Sequence, residues 1–190
     1  MSFLNEISDF DLSSIELLQR MLLVTDGTLT DLLQVAFLEP IGVLKLKMDV
    51  GKTSMPVEPL ELKAGEVRME RSILLYGQNT DKNYVYAEST LAIDRLPAGL
   101  REQLIGSNKP IGRLWSEHEI ETRKELLHVS KCSPSKLLPY FDSTAASNLL
   151  LRRSYRLVTR KQPVIIITEY FPDSYKTSAV VSQCGVTHFA

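Results

Sequence analysis

Residues 163–172 read Pro163-Val164-Ile165-Ile166-Ile167-Thr168-Glu169-Tyr170-Phe171-Pro172. Successive side chains of extended backbone point to opposite faces, so a strand is read in alternate positions. Here the odd residues Pro163, Ile165, Ile167 and Phe171 form an apolar row, and Glu169 stands inside it. Residues 67–75 give a similar row, Val67, Met69, Ile73 and Leu75, with Arg71 in it. Residues 149–157 give Leu149, Leu151, Tyr155 and Leu157, with Arg153 among them. If these rows face a core, two guanidinium groups and one carboxylate are aimed inward. A buried charge is costly unless it is paired. A structural Arg–Glu ion pair would satisfy that rule, as would a register that turns the charges outward. The third solution is a closed apolar pocket for a small anion. Arg71 would grip a carboxylate with two parallel N–H groups, and Glu169 would meet a polar group at the far end.

Outward from these rows, the strand pattern continues. Segments 66–76, 83–93, 119–130, 149–161 and 163–171 read as strands, and so does the run around Leu44, Leu46, Met48 and Val50. In that first strand the four apolar residues are expected inward and Lys45, Lys47 and Asp49 outward. Ahead of it, Ser13-Ser14-Ile15-Glu16 has the form of a capping box, followed by Leu18, Met21 and Leu22 at helical spacing. Asp26-Gly27 breaks that helix. Thr28 or Thr30 caps a second one, with Leu29, Leu32, Leu33, Ala36 and Phe37 inward, and Pro40 stops it. Pro97 opens a third helix with Leu100 and Leu104 inward, Gly106 closes it, and a short helical turn is expected over 110–115. The expected fold is α+β: a single antiparallel sheet of about six strands, covered on one face. Residues 174–190 read as a loosely held tail.

The 190 residues fit one domain, 1–190, large enough to bury a core without staples. A net charge of −1, from 22 basic and 23 acidic residues, excludes a chain-wide phosphate-binding footprint, so no nucleic acid is expected. No apolar run nears the roughly 20 residues of a membrane span. Glu6, Asp9 and Asp11 precede any Lys or Arg, the wrong polarity for a targeting peptide. Cys132 and Cys184 make no disulfide framework and lack metal-ligand spacing, which fits a reduced compartment. His118 lies among Glu117, Glu119 and Glu121, a spacing that reads as a solvated strand entry and not a metal site.

Several short pieces, in order, carry a family resemblance. They are Leu22-Leu23-Val24-Thr25-Asp26-Gly27-Thr28-Leu29-Thr30, Arg71-Ser72-Ile73-Leu74-Leu75, Lys109-Pro110-Ile111-Gly112-Arg113, Thr122-Arg123, Arg152-Arg153-Ser154-Tyr155-Arg156-Leu157 and the 163–172 stretch. Over residues 17–172 the chain resembles the chorismate pyruvate-lyases. The likeness is to the second type, found in cyanobacteria, red-algal plastids and some actinobacteria and archaea. The resemblance implies helices packed around an enclosed ligand pocket, and conversion of chorismate to 4-hydroxybenzoate and pyruvate without metal or cofactor. It implies a cytoplasmic or stromal protein, monomeric or weakly dimeric, with a small-molecule substrate, feeding quinone or phenolic synthesis.

Position by position, the resemblance makes Arg71 the ligand of the ring carboxylate. Glu169 becomes the group at the ring oxygen and the bond to be broken. Ile111, with Gly112 beside it, supplies backbone to the hydroxyl. Leu29, or Thr28 if the gap falls differently, supplies backbone to the product carboxylate. One departure concerns a second active-site arginine of the enterobacterial type, whose place is taken here by Ser89. Arg153 is the expected replacement cation, with Arg123 behind it. Two other readings share the same fold. One is a sensor domain that binds small acids without chemistry, and the other is a degenerate lyase in which Ser89 marks lost activity.

Overall fold

A computed structural model describes residues 10–106 and 109–176. Its elements, in chain order, are helices α1 (Leu17–Val24) and α2 (Leu29–Phe37), then strands β1 (Ile41–Lys52), β2 (Val67–Gly77) and β3 (Asn83–Leu91). Helices α3 (Ala98–Gly106) and α4 (Ile111–Glu117) follow, and β4 (Arg123–Cys132), β5 (Leu150–Thr159) and β6 (Gln162–Pro172) complete the fold. The strands form one six-stranded sheet in the order β1-β2-β3-β6-β5-β4. Every pairing is antiparallel.

Register lines the predicted rows up across the sheet. Arg71 pairs with Ser89, Ser89 with Ile167 and Ile167 with Tyr155. One alternate position along, Ile73 pairs with Ala87, Ala87 with Glu169 and Glu169 with Arg153. The helices cover this face at its two ends. Leu22, Leu23, Leu29 and Leu33 of α1 and α2 pack on Leu75, Val85, Leu151 and Phe171. Leu100, Leu104, Leu114 and Trp115 of α3 and α4 pack on Met69, Leu91, Ile165 and Tyr155. The two rows that carry Arg71 and Glu169 lie between these covers.

The far face is not bare, contrary to the expectation of a sheet covered on one side. Residues 133–149 cross it, and Phe141 is buried there with Leu74, Tyr86 and Leu150. Leu60 and Leu62, from the β1–β2 connection, pack on Ala92 and Ile166. That is why the even residues of β5 and β6 are also partly apolar, as strands buried on both faces require.

β1 departs from the period-two reading. A bulge between Lys45 and Lys47 shifts its register, so Val43 and Lys45 share the site face with Met48 and Val50. An extra residue in one strand flips every later side chain. Lys47 and Asp49 thereby reach the outer face, near Glu70 (3.8 Å) and Arg68 (3.9 Å). Leu44 stays outside beside Leu74 and is half exposed. The expected inward row of Leu44, Leu46, Met48 and Val50 is thus corrected. So is the capping box: Asp11, not Ser13, caps a short 3₁₀ turn at Leu12–Ser14, and α1 starts only at Leu17. β4 begins at Arg123 and not at 119, because α4 runs on to Glu117.

Glu39 ties the β2–β3 turn to the end of α2. It accepts from the backbone N–H of Asn79 (3.0 Å) and Thr80 (3.2 Å), and from the hydroxyls of Thr80 (2.8 Å) and Tyr84 (2.5 Å). Burial pushes its carboxyl up, but these bonds outweigh that and hold it below the ordinary value. A side chain at Gly77 would collide with that carboxylate. Of the expected tail, Tyr175 is instead buried against Phe37 and Tyr84, and its hydroxyl donates to the Tyr84 carbonyl (3.1 Å). Residues 177–190 lie outside the described residues.

β5 and β6 are joined by two residues, Arg160 and Lys161, both in the left-handed region (φ 49° and 64°). That is the backbone of a type I′ turn, which favours Asn-Gly because each L side chain there costs about 1–2 kcal/mol. Arg160→Asn together with Lys161→Gly is expected to stabilise the protein by about 1–2 kcal/mol. Urea unfolding would show a higher midpoint at unchanged slope; a lower midpoint would mean the two side chains hold the turn by contacts of their own.

Candidate active site

The uncovered rows floor a cavity of about 960 Å³. Arg71, Ile73, Leu75, Ala87, Ser89, Tyr155, Leu157, Ile167 and Glu169 form its floor. Asp26–Thr30 at the start of α2 and 110–112 at the start of α4 roof it. The two flaps touch: a Cβ at Gly112 would run into the Thr28 methyl, so only glycine permits this approach. The mouth lies where lining residues become exposed, at Asp26 and Gly27 and along Glu119–Arg123.

Arg71 is 3% exposed. Its Nη2 donates to the Lys109 carbonyl (3.2 Å), while Nε and Nη1 are buried with no partner among the described residues. Burial pushes its pKa down, and it also pushes down Lys45, with help from the charge of Arg71. A guanidinium stays charged in proteins. Two orphaned N–H groups on it therefore describe a site built for an anion, since such groups are costly to leave unmade.

Glu169, 6% exposed, lines the same cavity. It sits two strands across and one alternate position along from Arg71, about 12 Å between Cα atoms at ordinary spacings. Both side chains project from the same face, so a benzene ring fits between them. The Glu169 carboxylate is held from behind. Its Oε2 accepts from Arg153 Nε (2.8 Å) and Nη2 (2.7 Å), and its Oε1 accepts from the Tyr155 hydroxyl (2.9 Å). Burial first, then the neighbouring carboxylate, pushes the Tyr155 phenol well above its ordinary value, so it remains a donor.

The other expected residues fall as follows. Leu29, Thr28, Ile111, Gly112 and Ser89 all line the cavity. The Ser89 hydroxyl makes only a 3.5 Å contact, to the Arg71 carbonyl. Arg123 stands at the mouth with its side chain 72% exposed and paired with Glu125. Arg153 does not line the cavity. It is 1% exposed, and beyond Glu169 its Nη1 donates to the carbonyls of Leu23 (2.9 Å) and Thr25 (3.3 Å). The structural Arg–Glu ion pair left open by the sequence is thus Arg153–Glu169, and the expected part of Arg153 as replacement cation is corrected: its donors are taken up in orienting Glu169 and anchoring the flap.

Among the lining residues not expected in the site are Tyr155, Lys124 and Trp115, whose indole N–H is buried and has no partner among the described residues. Tyr155 lay in the row that contained Arg153, so its inward direction was legible although its hydroxyl partner was not. Among the described residues, no group of three or more His, Cys, Asp and Glu side chains could hold a metal, and no helix is long and apolar enough to cross a membrane.

A family model described as Chorismate pyruvate-lyase Rv2949c-like matches residues 23–178. The chain belongs to this family. A chorismate pyruvate-lyase of Mycobacterium tuberculosis is 30% identical over 169 residues, covering 87% of this chain and 84% of that protein. One from Mycobacterium leprae is 35% identical over 153 residues, covering 80% and 72%. Among solved structures, PhnF from Mycobacterium smegmatis superposes with a TM-score of 0.61 at 12% identity, covering 85% of this chain and 70% of that one. A GntR-family transcriptional regulator from Bacillus cereus gives 0.53 at 11% identity, covering 75% and 99%. At such identity these two show a shared fold alone.

Proposed function

We propose that this protein eliminates the enolpyruvyl group from chorismate, giving 4-hydroxybenzoate and pyruvate. The observation that carries the reading is Arg71, buried with Nε and Nη1 unpartnered among the described residues and lining one cavity with Glu169. Family membership supplies the substrate class. In this reading Arg71 holds the ring carboxylate, while backbone at Leu29 or Thr28 and at Ile111 and Gly112 meets the ends of the substrate from the roof.

The chemistry balances within the substrate. The bond from the ring to the ether oxygen breaks, and its electron pair leaves on enolpyruvate. The hydrogen on the hydroxyl-bearing ring carbon departs as a proton, and its bonding pair completes the aromatic ring. Enolpyruvate takes a proton on its methylene carbon and becomes pyruvate. Aromatisation drives the step, so the protein supplies orientation, exclusion of water and one proton carrier. Glu169, held by Arg153 and Tyr155 with its carboxylate against the cavity, is that carrier.

Purified protein given chorismate is expected to release 4-hydroxybenzoate and pyruvate in equal amounts, at an unchanged rate with EDTA present. Binding of 4-hydroxybenzoate without turnover would replace this reading with the sensor or the degenerate lyase. A cytoplasmic or stromal location, a monomer or weak dimer, a supply role in quinone synthesis and the cyanobacterial and plastid subtype belong to the same proposal.

A further inference from the structure

Chorismate carries two carboxylates, and Arg71 answers the one on the ring. The second belongs to the enolpyruvyl group, attached beside the ring hydroxyl, so it lies at the Glu169 end of the cavity. Ser89 is neutral and stands in the Arg71 row, and Arg153 is committed to Glu169 and the flap. Arg123 is exposed to water, where an ion pair contributes little.

We propose that Lys124 is the cation that receives the enolpyruvyl carboxylate. This inference rests on the lyase reading above. Lys124 lines the cavity, and its side chain is 18% exposed. β4 pairs it with Leu157, on the site face. Its Nζ lies 4.6 Å above the centre of the Tyr155 ring, whose hydroxyl donates to Glu169, so the ammonium and the carboxylate share one wall. One N–H donates to the Thr25 carbonyl (2.8 Å). Its ion pair among the described residues is with Asp26 at 3.9 Å, whose side chain is 89% exposed, a screened partner that leaves ammonium donors for a ligand. Burial, then the charge of Arg153, pushes the Lys124 pKa down against the pull of Glu169 and Asp26, so an arriving anion stabilises its charged form. Pyruvate carries this carboxylate away, so Lys124 discriminates substrate from the aromatic product.

The test uses two inert aromatic acids, the dicarboxylate 3-(carboxymethoxy)-4-hydroxybenzoate and its monocarboxylate counterpart 4-hydroxy-3-methoxybenzoate, titrated calorimetrically. The wild-type protein is expected to prefer the dicarboxylate by ~10- to 100-fold, the scale of one charge-assisted contact. Lys124→Gln is expected to abolish that preference and raise the KM for chorismate by a similar factor, with affinity for 4-hydroxybenzoate unchanged. A preference that survives in Lys124→Gln overturns the assignment. So does an equal loss of 4-hydroxybenzoate affinity, which would make Lys124 a structural latch on the flap. A wild type that turns over chorismate without preferring the dicarboxylate refutes the Lys124 assignment alone; a wild type that binds none of these acids and leaves chorismate intact refutes the lyase reading itself.

Discussion

Glu169→Gln is expected to cut chorismate turnover by roughly 10²–10⁴-fold, the usual contribution of a positioned proton carrier, while leaving 4-hydroxybenzoate bound nearly as before. The amide keeps the shape of the side chain and an oxygen that accepts from Tyr155 or Arg153, so the cavity wall stays in place. It lacks the carboxylate that takes up the ring proton, and among the described residues no other carboxylate is buried in the cavity: Asp26, Glu119 and Glu121 line its exposed mouth. The change also leaves Arg153, 1% exposed, facing a neutral partner, which destabilises the fold. Turnover therefore has to be read on protein whose 4-hydroxybenzoate titration shows an intact site. Single-turnover measurements separate the chemical step from product release. Full activity in this variant would remove Glu169 from the mechanism, and the proton would have to leave by way of solvent.

What the sequence discloses and what it withholds follow from the same period of two. Alternation places Arg71, Arg153 and Glu169 in apolar rows, and it does so correctly because β2, β5 and β6 are regular over those residues. It does not say which charge meets which, since that depends on register between strands distant in the chain. Alternation therefore leaves both an Arg–Glu ion pair and a ligand-binding cation open for Arg153, and the β5–β6 register favours the pair by setting it directly opposite Glu169. A bulge is invisible to alternation. In β1 nothing at Lys45-Leu46-Lys47 announces one, yet it reverses the sides of Met48 and Val50 relative to the earlier residues. Lys124 was hidden for a related reason. The strand was read as beginning at 119, and a second shift, between Leu126 and His128, breaks the alternation after it. The capping box failed because Asp11 offers a competing acceptor to Ser13, 2.9 Å away. The helices, by contrast, were marked by Pro40, Pro97 and Gly106, residues whose backbone limits do not depend on distant partners.

Arg71→Met is expected to act in opposite directions on binding and on stability. The substitution keeps an unbranched apolar stem among Ile73, Ser89 and Ile167 and removes the guanidinium. Affinity for 4-hydroxybenzoate should fall by roughly 10²–10³-fold, since a buried, bidentate charge pair lost on one side costs 2–5 kcal/mol, of which about 3–4 kcal/mol is expected here. In the unliganded protein the same guanidinium is a liability. Its Nε and Nη1 are buried without a partner among the described residues, its hydrogen bond to the Lys109 carbonyl is 3.2 Å long, and Lys45 adds like charge nearby. Replacing an unsatisfied buried charge by an apolar side chain of similar volume commonly stabilises, by about 1–2 kcal/mol for a group with one bond to lose. Thermal unfolding without ligand should therefore shift upward by about 2–8 °C for a chain of this size, and 4-hydroxybenzoate, which should raise the wild-type midpoint by mass action, should leave that of the variant unmoved. Unchanged affinity would strip Arg71 of its role as the carboxylate ligand. A lower midpoint in the absence of ligand would mean instead that the bond to Lys109 holds the α4 flap, and that the arginine is there first for the fold.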